Sequence, residues 1–412
     1  MAPPPAEHPT RVLYIAYWGA VEPLGQALIV PAVRRLAELG PRLTLVTFEK
    51  PADAANREEM ERVRALLEEA EVRWLPLDYH KRPKVPATGF DFAHGVARAI
   101  AERIRDRPEV IHARTFIGGL IGLAVSRLTR AALIYHAEGF YSDEQVDAGF
   151  WAEGSLPHRI GRRLEKRLYT RADAVFSTSK GGKAIIESLD GVKSSGTPVI
   201  VVPSCVDLDH FSKPSGDGDR DSALRLVYVG SVGGRYLVDR IGRFASVARQ
   251  QRPGSRLELL TGAEPGLVRA TLDSSGLPAD AWTSRFVPYR RLPGELAHND
   301  AGLCFHSHGL SAPGGSSTKV GEYWAMGLPV ISTPGLGDVD DIIREEGVGV
   351  MVRDLTDDAY REAFDELLRL LDDPQLSARC RDAAERHYGL DEACERQVAI
   401  YERLEREGRG LR

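Results

Sequence analysis

Short apolar runs and amphipathic stretches alternate along the whole chain. Arg11–Tyr17 (RVLYIAY), Leu43–Phe48, Val72–Pro76, Val110–Ala113, Ala132–Tyr135, Val175–Thr178 and Val199–Val202 have the length and apolar content of buried strands. Helical stretches separate them: about Gln26–Leu39, closed by Gly40-Pro41, then Glu58–Ala70, Phe92–Arg105 and Pro157–Ala174. Tyr79–Gly89 (YHKRPKVPATG) is basic and Pro-rich and reads as a surface loop. The pattern restarts with strands at Leu226–Val229, Arg256–Leu260, Arg285–Tyr289, Gly302–Phe305 and Val348–Val352. Helices fall at about Leu237–Gln250 and Asp357–Leu371, and a last one at about Gln375–Glu407 is broken near Gly389. Strand and helix in alternation predict an α/β fold with parallel sheets.

At 412 residues the chain exceeds one ordinary core and suits two domains. Residues 11–204 form the expected first domain, 205–224 a linker around Lys213–Ser222 (KPSGDGDRDS), and 225–374 the second domain. Residues 375–412 form a C-terminal helix that could cross back to the first. The Pro-rich start, residues 1–10, reads as a disordered tail. A net charge of −5 and a pI near 6.2 argue against a nucleic-acid partner. Cys205, Cys304, Cys380 and Cys394 have no metal or disulfide spacing. A reducing compartment is the default for such cysteines, so a cytoplasmic location is expected, and no apolar run is long enough to span a bilayer.

The most informative stretch is Ser316–Thr333, SSTKVGEYWAMGLPVIST. Ser316, Ser317 and Thr318 can cap a helix that runs to about Met326; Gly327 suits its C-terminal cap, and Val330, Ile331 and Ser332 read as a short strand. Lys319 falls in the first turn, where the helix dipole disfavours a cation, and a bound anion would remove that conflict. Glu322 is one place too late for a capping box, and a carboxylate there can accept hydrogen bonds from a ribose diol. The alternative is a helix with an exposed Lys and Glu.

Other candidates sit after strands, where open α/β sheets bind ligands. The loop WGAVEPLG carries Gly19 and Gly25 but is not a dinucleotide fingerprint, and a plain turn explains it equally. Arg114 ends a strand; it either holds an acceptor anion or pairs with a neighbouring acid. His136 ends the next, followed by Glu138, and an imidazole there can donate or accept at neutral pH. GSVGGR, with Gly230, Ser231, Gly233, Gly234 and Arg235, precedes a helix and can let backbone amides approach a phosphate. Thr261 and Gly262 end another strand. His306 and His308 lack the partners of a metal site. In Pro157–Ala174, Ile160, Leu164 and Leu168 form one stripe, with Arg159, Arg162, Arg163, Lys166 and Arg171 elsewhere. That face is solvated or lies on an anionic lipid surface at the inner side of a membrane.

T-K-V-G-E-Y-W-A-M-G-L-P-V-I resembles the nucleotide-sugar motif of retaining GT-B glycosyltransferases of the large family four. LEKRLYTRADAVFSTS and PSCVDLDHF resemble two further segments of that family. The resemblance implies two Rossmann-like domains facing an interdomain cleft, and transfer of a hexosyl unit from a UDP- or GDP-sugar to an acceptor hydroxyl, with retention and without a metal. It implies a ribose role for Glu322 and a place beside the donor sugar for His136. Lys319 and Arg235 would neutralise the diphosphate. Gly230, Ser231, Gly233, Gly234, Ser316, Ser317 and Thr318 would line the donor site, with Thr261 and Gly262 as a wall of the base site. Gly19, Gly25, Arg114 and Glu138 would face a carbohydrate, lipid or small-molecule acceptor. Two departures stand out: Gly314 occupies the position of the family's first Glu in E-x7-E, and Ser231 stands where an Arg is common. A sugar-nucleotide 2-epimerase and a non-catalytic nucleotide-sugar binder are the alternatives.

Overall fold

The computed structural model describes residues 9–212 and 223–408. Most of the expected tail, and the linker core Lys213–Ser222, lie outside the described residues. The chain divides into two compact units, one of residues 1–142, 154–205 and 390–412, the other of 143–153 and 206–389.

The first unit has seven parallel strands: β1 (Arg11–Ala16), β2 (Arg42–Glu49), β3 (Arg73–Asp78), β4 (Val110–Arg114), β5 (Ala132–Ala137), β6 (Ala174–Ser177) and β7 (Val199–Val201). Their order is β3-β2-β1-β4-β5-β6-β7. β1 pairs with β4 in register Val12↔Val110 to Ala16↔Arg114, which brings the ends of these two strands side by side. Apolar clusters cover both faces. The helix Leu390–Arg406 contributes Ala393, Cys394, Val398, Tyr401 and Leu404 to one of them. The C-terminal region expected as one broken helix is two, Leu376–Tyr388 in the second unit and Leu390–Arg406 in the first, parted at Gly389.

The second unit has β8 (Arg225–Val229), β9 (Arg256–Leu260), β10 (Trp282–Arg285), β11 (Ala301–Cys304), β12 (Val330–Ser332) and β13 (Gly349–Met351), in the parallel order β10-β9-β8-β11-β12-β13. The strand order reverses between β8 and β11. Loops leaving the carboxyl ends of those two strands therefore border the crevice where such sheets take ligands.

Four expectations need correcting. The strand expected over Arg285–Tyr289 runs instead over Trp282–Arg285, and Tyr289–Arg291 is a 3-10 turn. Tyr79–Gly89 is not all loop, because a helix spans Lys84–Asp106. Pro83 stands at its N-cap and Pro86 in its first turn, where a missing amide hydrogen costs nothing, so the prolines start this helix instead of breaking it. The helix Phe116–Thr129 was not expected, since FIGGLIGLAVS is apolar on all sides and rich in glycine. It fits because Gly119 and Gly122 lie against Tyr135, Leu133 and Ala113, where a Cβ would approach to 2.6 Å. In the helix Leu156–Arg171, Ile160 is 46% exposed and does not join the packed stripe. The buried side is His158, Gly161, Glu165, Leu168 and Tyr169, and Glu165 accepts a hydrogen bond from the Ser142 amide at 3.2 Å.

Candidate active site

The helix Thr318–Ala325 is buried along almost its whole length. Tyr323 donates no room to Gly302, whose Cβ would lie 2.2 Å from its ring, and its hydroxyl accepts from the Val229 amide at 2.8 Å. Trp324 Nε1 donates to the Val348 carbonyl at 2.9 Å. These ties hold the helix against β8 and β11 and bury both of its charged side chains. Lys319 is 7% exposed and Glu322 4%. A surface helix with a solvated Lys and Glu is thereby excluded.

Lys319 Nζ has no hydrogen-bond acceptor among the described residues. It lies 3.7 Å from the ring centre of Tyr236 and 4.5 Å from that of Tyr228, a cation–π cage that holds the ammonium charged in spite of its burial. Gly230 has φ +138°, and a Cβ there would stand 3.0 Å from Lys319 Nζ, so the glycine keeps the approach to the ammonium open. The Glu322 carboxylate accepts no hydrogen bond from the described residues. Burial pushes it up to about 7, with Lys319 opposing. Tyr289 lies close enough that Glu322 adds to the burial that raises its phenol. A buried cation and a buried carboxylate without partners, one turn apart, are groups waiting for a ligand. Ser317 stands at the N-cap, but its hydroxyl caps no amide of the first turn, which leaves that turn suited to an anion.

The loop after β8 is joined to the loop after β11 by a bridge between Tyr236 and His306 and by bonds from Leu237 N to Phe305 O (3.1 Å) and Ser307 N to Arg235 O (2.8 Å). Ser231, Gly233 and Gly234 are exposed at its tip, and Tyr228 Oη donates to the Ser231 carbonyl at 2.6 Å. Arg235 is not free beside Lys319: its guanidinium donates to Glu144 at 3.3 Å. Glu144 belongs to the segment 143–153, which the same unit also grips through Asp147, acceptor from the amides of Leu310 and Ser311 at 2.9 Å. Thr261 Oγ1 accepts from Ala263 N at 3.1 Å and shapes the turn in which Gly262 meets the Phe286 ring. Thr318 and Ser316 stand at the mouth of the helix, both partly exposed.

In the first unit, His136 is 1% exposed at the end of β5. Its Nδ1 lies 3.1 Å from His112 Nε2, and His112 Nδ1 lies 2.5 Å from Tyr401 Oη. Burial, then Arg114, pushes both imidazoles well below their usual range, so both are neutral near pH 7. Burial also keeps the Tyr401 phenol protonated. A buried phenol donates its hydrogen, here to His112 Nδ1. The His112 proton is then on Nε2 and is donated to His136 Nδ1, which leaves the His136 proton on Nε2. That nitrogen has no hydrogen-bond partner among the described residues and stands 3.8 Å from Glu138 Oε1. His136 therefore presents a donor.

Arg114 pairs with Glu138 and donates to Tyr14 Oη (3.3 Å) and the Leu28 carbonyl (3.0 Å). Of the two sequence readings, pairing with a neighbouring acid is the one observed. Gly19 and Gly25 are packing positions. A Cβ on Gly25 would lie 1.8 Å from the Gly19 carbonyl oxygen, and one on Gly19 would lie 2.6 Å from Glu49 Oε2. The buried Glu49 accepts from the amides of Ala20 and Val21, at 2.8 and 3.2 Å, which ties the turn to β2.

Sequence reasoning missed Tyr228, Tyr236, Tyr289, His112 and Tyr401. His112, Tyr228 and Tyr289 lie in expected strands and Tyr401 in the expected terminal helix, but none of them stood out there as a site residue. Among the described residues no group of three or more His, Cys, Asp or Glu could hold a metal ion, and all four cysteines are free and buried. No helix there is long and apolar enough to cross a membrane.

Residues 29–205 match the family model of a glycosyl transferase 4-like domain. No curated protein sequence is significantly similar. The fold is shared more widely. Sucrose-phosphate synthase from Thermosynechococcus elongatus aligns with a TM-score of 0.71 at 15% identity, over 97% of this chain and 100% of that one. HepE from Anabaena, in complex with UDP and glucose, gives 0.65 at 15% identity, over 95% and 99%. A putative UDP-N-acetylglucosamine 2-epimerase from Listeria monocytogenes gives 0.62 at 15% identity, over 97% and 97%. The two parallel sheets flanked by helices are those of the GT-B fold, with two Rossmann-like units. The family match and the fold support a glycosyltransferase.

Proposed function

We propose that the protein transfers a hexosyl unit from a nucleotide-sugar to an acceptor hydroxyl with retention of configuration. The observation that carries this reading is the pair of buried charges on one helix, Lys319, whose ammonium has no hydrogen-bond partner among the described residues, and Glu322. Lys319, the first turn of its helix and the Gly230 loop take the diphosphate. Glu322 takes the ribose diol. A UDP-linked donor is favoured because HepE, of the same fold, is bound to UDP and glucose. In the reaction the sugar C1–O bond to the diphosphate breaks, and a bond forms on the same face between C1 and the acceptor oxygen. The hydroxyl proton passes to the departing phosphate. Charge building on that phosphate is offset by Lys319 and the loop amides. His136 donates from Nε2 to a sugar hydroxyl. Arg235, neutralised by Glu144, tunes this site from its edge.

The test is nucleotide release from UDP- and GDP-sugars with and without acceptor mixtures. Release that depends on acceptor supports transfer. Interconversion of the sugar without net release of nucleotide supports the 2-epimerase reading, which the Listeria neighbour favours. Binding without turnover supports a non-catalytic binder.

The acceptor side includes contact with anionic lipid at an inner membrane face, with the protein otherwise cytoplasmic. The helix Leu156–Arg171 exposes Arg159, Arg162, Arg163, Lys166, Arg167 and Arg171, with Leu156 and Ile160 exposed among them and its one carboxylate, Glu165, buried. Co-sedimentation with phosphatidylglycerol vesicles that salt weakens supports this contact, and no pelleting at low salt removes it.

A further inference from the structure

Three helices of the first unit end together. The helices Lys84–Asp106, Phe116–Thr129 and Leu156–Arg171 each run back over the sheet and stop just before β4, β5 and β6. They lie side by side, since a Cβ on Gly95 would stand 2.8 Å from Ile121 and one on Gly119 would stand 3.0 Å from Leu168. Val110 of β4 pairs with Ala132 of β5, and Ile134 of β5 with Ala174 of β6. The helix ends therefore line up along the amino-terminal edge of these strands. Arg114 and His136 stand at the opposite edge, so this one is separate from the candidate active site.

The edge is cationic. Arg107, Arg127, Arg130, Arg167 and Arg171 are all exposed, and none pairs with an acid among the described residues. Partial burial, then Arg167 and Arg171, lowers the Arg127 guanidinium from its ordinary value, so these three charges stand close together. The nearby carboxylates are already engaged: Asp106 with Arg73 at 2.6 Å, Glu109 with Arg11, and Asp173 with the Leu133 amide at 2.9 Å. Two aliphatic side chains stand among the arginines, Ile104 at 74% exposed and Leu128 at 69%. Arg107 and Arg130 end their helices in the left-handed region, with φ of 49° and 58°. Glycine suits such a cap better, so each arginine strains the backbone. The helix dipole accounts for a cation in a last turn, as with Arg127 and Arg171. It accounts neither for aliphatic side chains exposed between cations nor for arginine in place of a capping glycine.

We infer that this edge docks on an anionic lipid surface, with Ile104 and Leu128 entering the headgroup layer and the five arginines paired with lipid phosphates. A guanidinium is a planar fork that meets phosphate through paired hydrogen bonds. An aliphatic side chain gains nothing on a nucleic-acid backbone, and a protein partner would need a pocket for each. A bilayer accepts both without a matching shape. The assignment deepens the lipid contact proposed for the helix Leu156–Arg171, with which it shares Arg167 and Arg171, and is independent of the transferase reading.

The test is flotation of the full chain at low salt with vesicles of phosphatidylglycerol and phosphatidylcholine, against vesicles of phosphatidylcholine alone. Wild type should float with the anionic vesicles only. Each arginine near anionic lipid contributes about fivefold, so R107G/R130G should lower the partition coefficient about tenfold or more. Its melting temperature should stay at or above that of wild type, because glycine suits both caps. That pairing of weaker docking with an equal or firmer fold is what a merely structural role would not give. I104S/L128S should also bind about tenfold more weakly, the loss of inserted apolar surface. Edge variants that bind like wild type, with binding lost only in L156S/I160S, overturn the inference and leave the contact along the helix Leu156–Arg171. Weaker binding in R107G/R130G with I104S/L128S unchanged overturns the insertion and makes the edge a site for an acidic protein instead. Wild type that does not float overturns both this edge and that lipid contact, and leaves the transferase reading standing.

Discussion

Replacing Glu322 by Gln separates stability from ligand binding in one experiment. Burial holds the folded carboxyl near 7, above its ordinary 4.5. The folded state therefore binds this proton more tightly than the unfolded chain does. The stability it confers is fully present below about pH 4.5 and is lost as pH rises to about 7. The difference amounts to about 3 kcal/mol, at about 1.4 kcal/mol for each tenfold change in acidity. Gln removes the buried negative charge and keeps the shape. Without ligand, E322Q should be more stable than wild type at pH 8 by up to about 3 kcal/mol, and the two should converge near pH 4.5. Nucleotide binding should move the other way. An ionised carboxylate accepts two diol hydrogen bonds and an amide oxygen is a poorer acceptor, so UDP should bind E322Q about tenfold more weakly at pH 8. Wild-type affinity should fall as pH drops through 7, and that of E322Q should change less. Urea unfolding followed by tryptophan fluorescence, with calorimetric titration of UDP, reads both. A variant no more stable at pH 8 and equal in UDP affinity refutes the reasoning.

Lys319→Met should raise the UDP Kd at least about tenfold while the fold persists, since the cation faces an otherwise neutral tyrosine cage; titration calorimetry checks it. Tyr401→Phe removes the donor that sets the proton order through His112 to His136. Nitrogen NMR of the histidines should find His136 Nε2 protonated in wild type and the order reversed or mixed in the variant, and an unchanged tautomer contradicts the relay. Gly25→Ala should lower the melting temperature through a backbone clash worth about 2 kcal/mol or more, with no effect on UDP affinity per folded molecule.

Periodicity alone placed most of the strands, because each is a short apolar run bounded by turn residues. It failed where local rules compete. Pro83 and Pro86 read as a loop but begin a helix, and the glycines of Phe116–Thr129 hid another. In the second unit, Lys319 and Glu322 were conspicuous because each breaks a local rule: a cation stands in a first turn, and an acid stands out of step with its cap. Their cage was not visible. Tyr228 sits in a strand that would be apolar anyway, and Tyr236 in a glycine loop. Glu144 reaches Arg235 from a segment that lies, in sequence, between two strands of the other unit's sheet. The His112–Tyr401 contact joins residues 289 positions apart, and no spacing rule spans that distance. Arg114 shows the opposite case: an end-of-strand cation that looked available is paired with Glu138.

A crystal structure with an intact UDP-sugar bears most directly on the reading. The diphosphate should lie at the start of the helix Thr318–Ala325 beside Lys319 Nζ, with the ribose hydroxyls on the Glu322 carboxylate. Density for the nucleotide elsewhere, with the Tyr228–Tyr236 cage and Glu322 untouched, would contradict it.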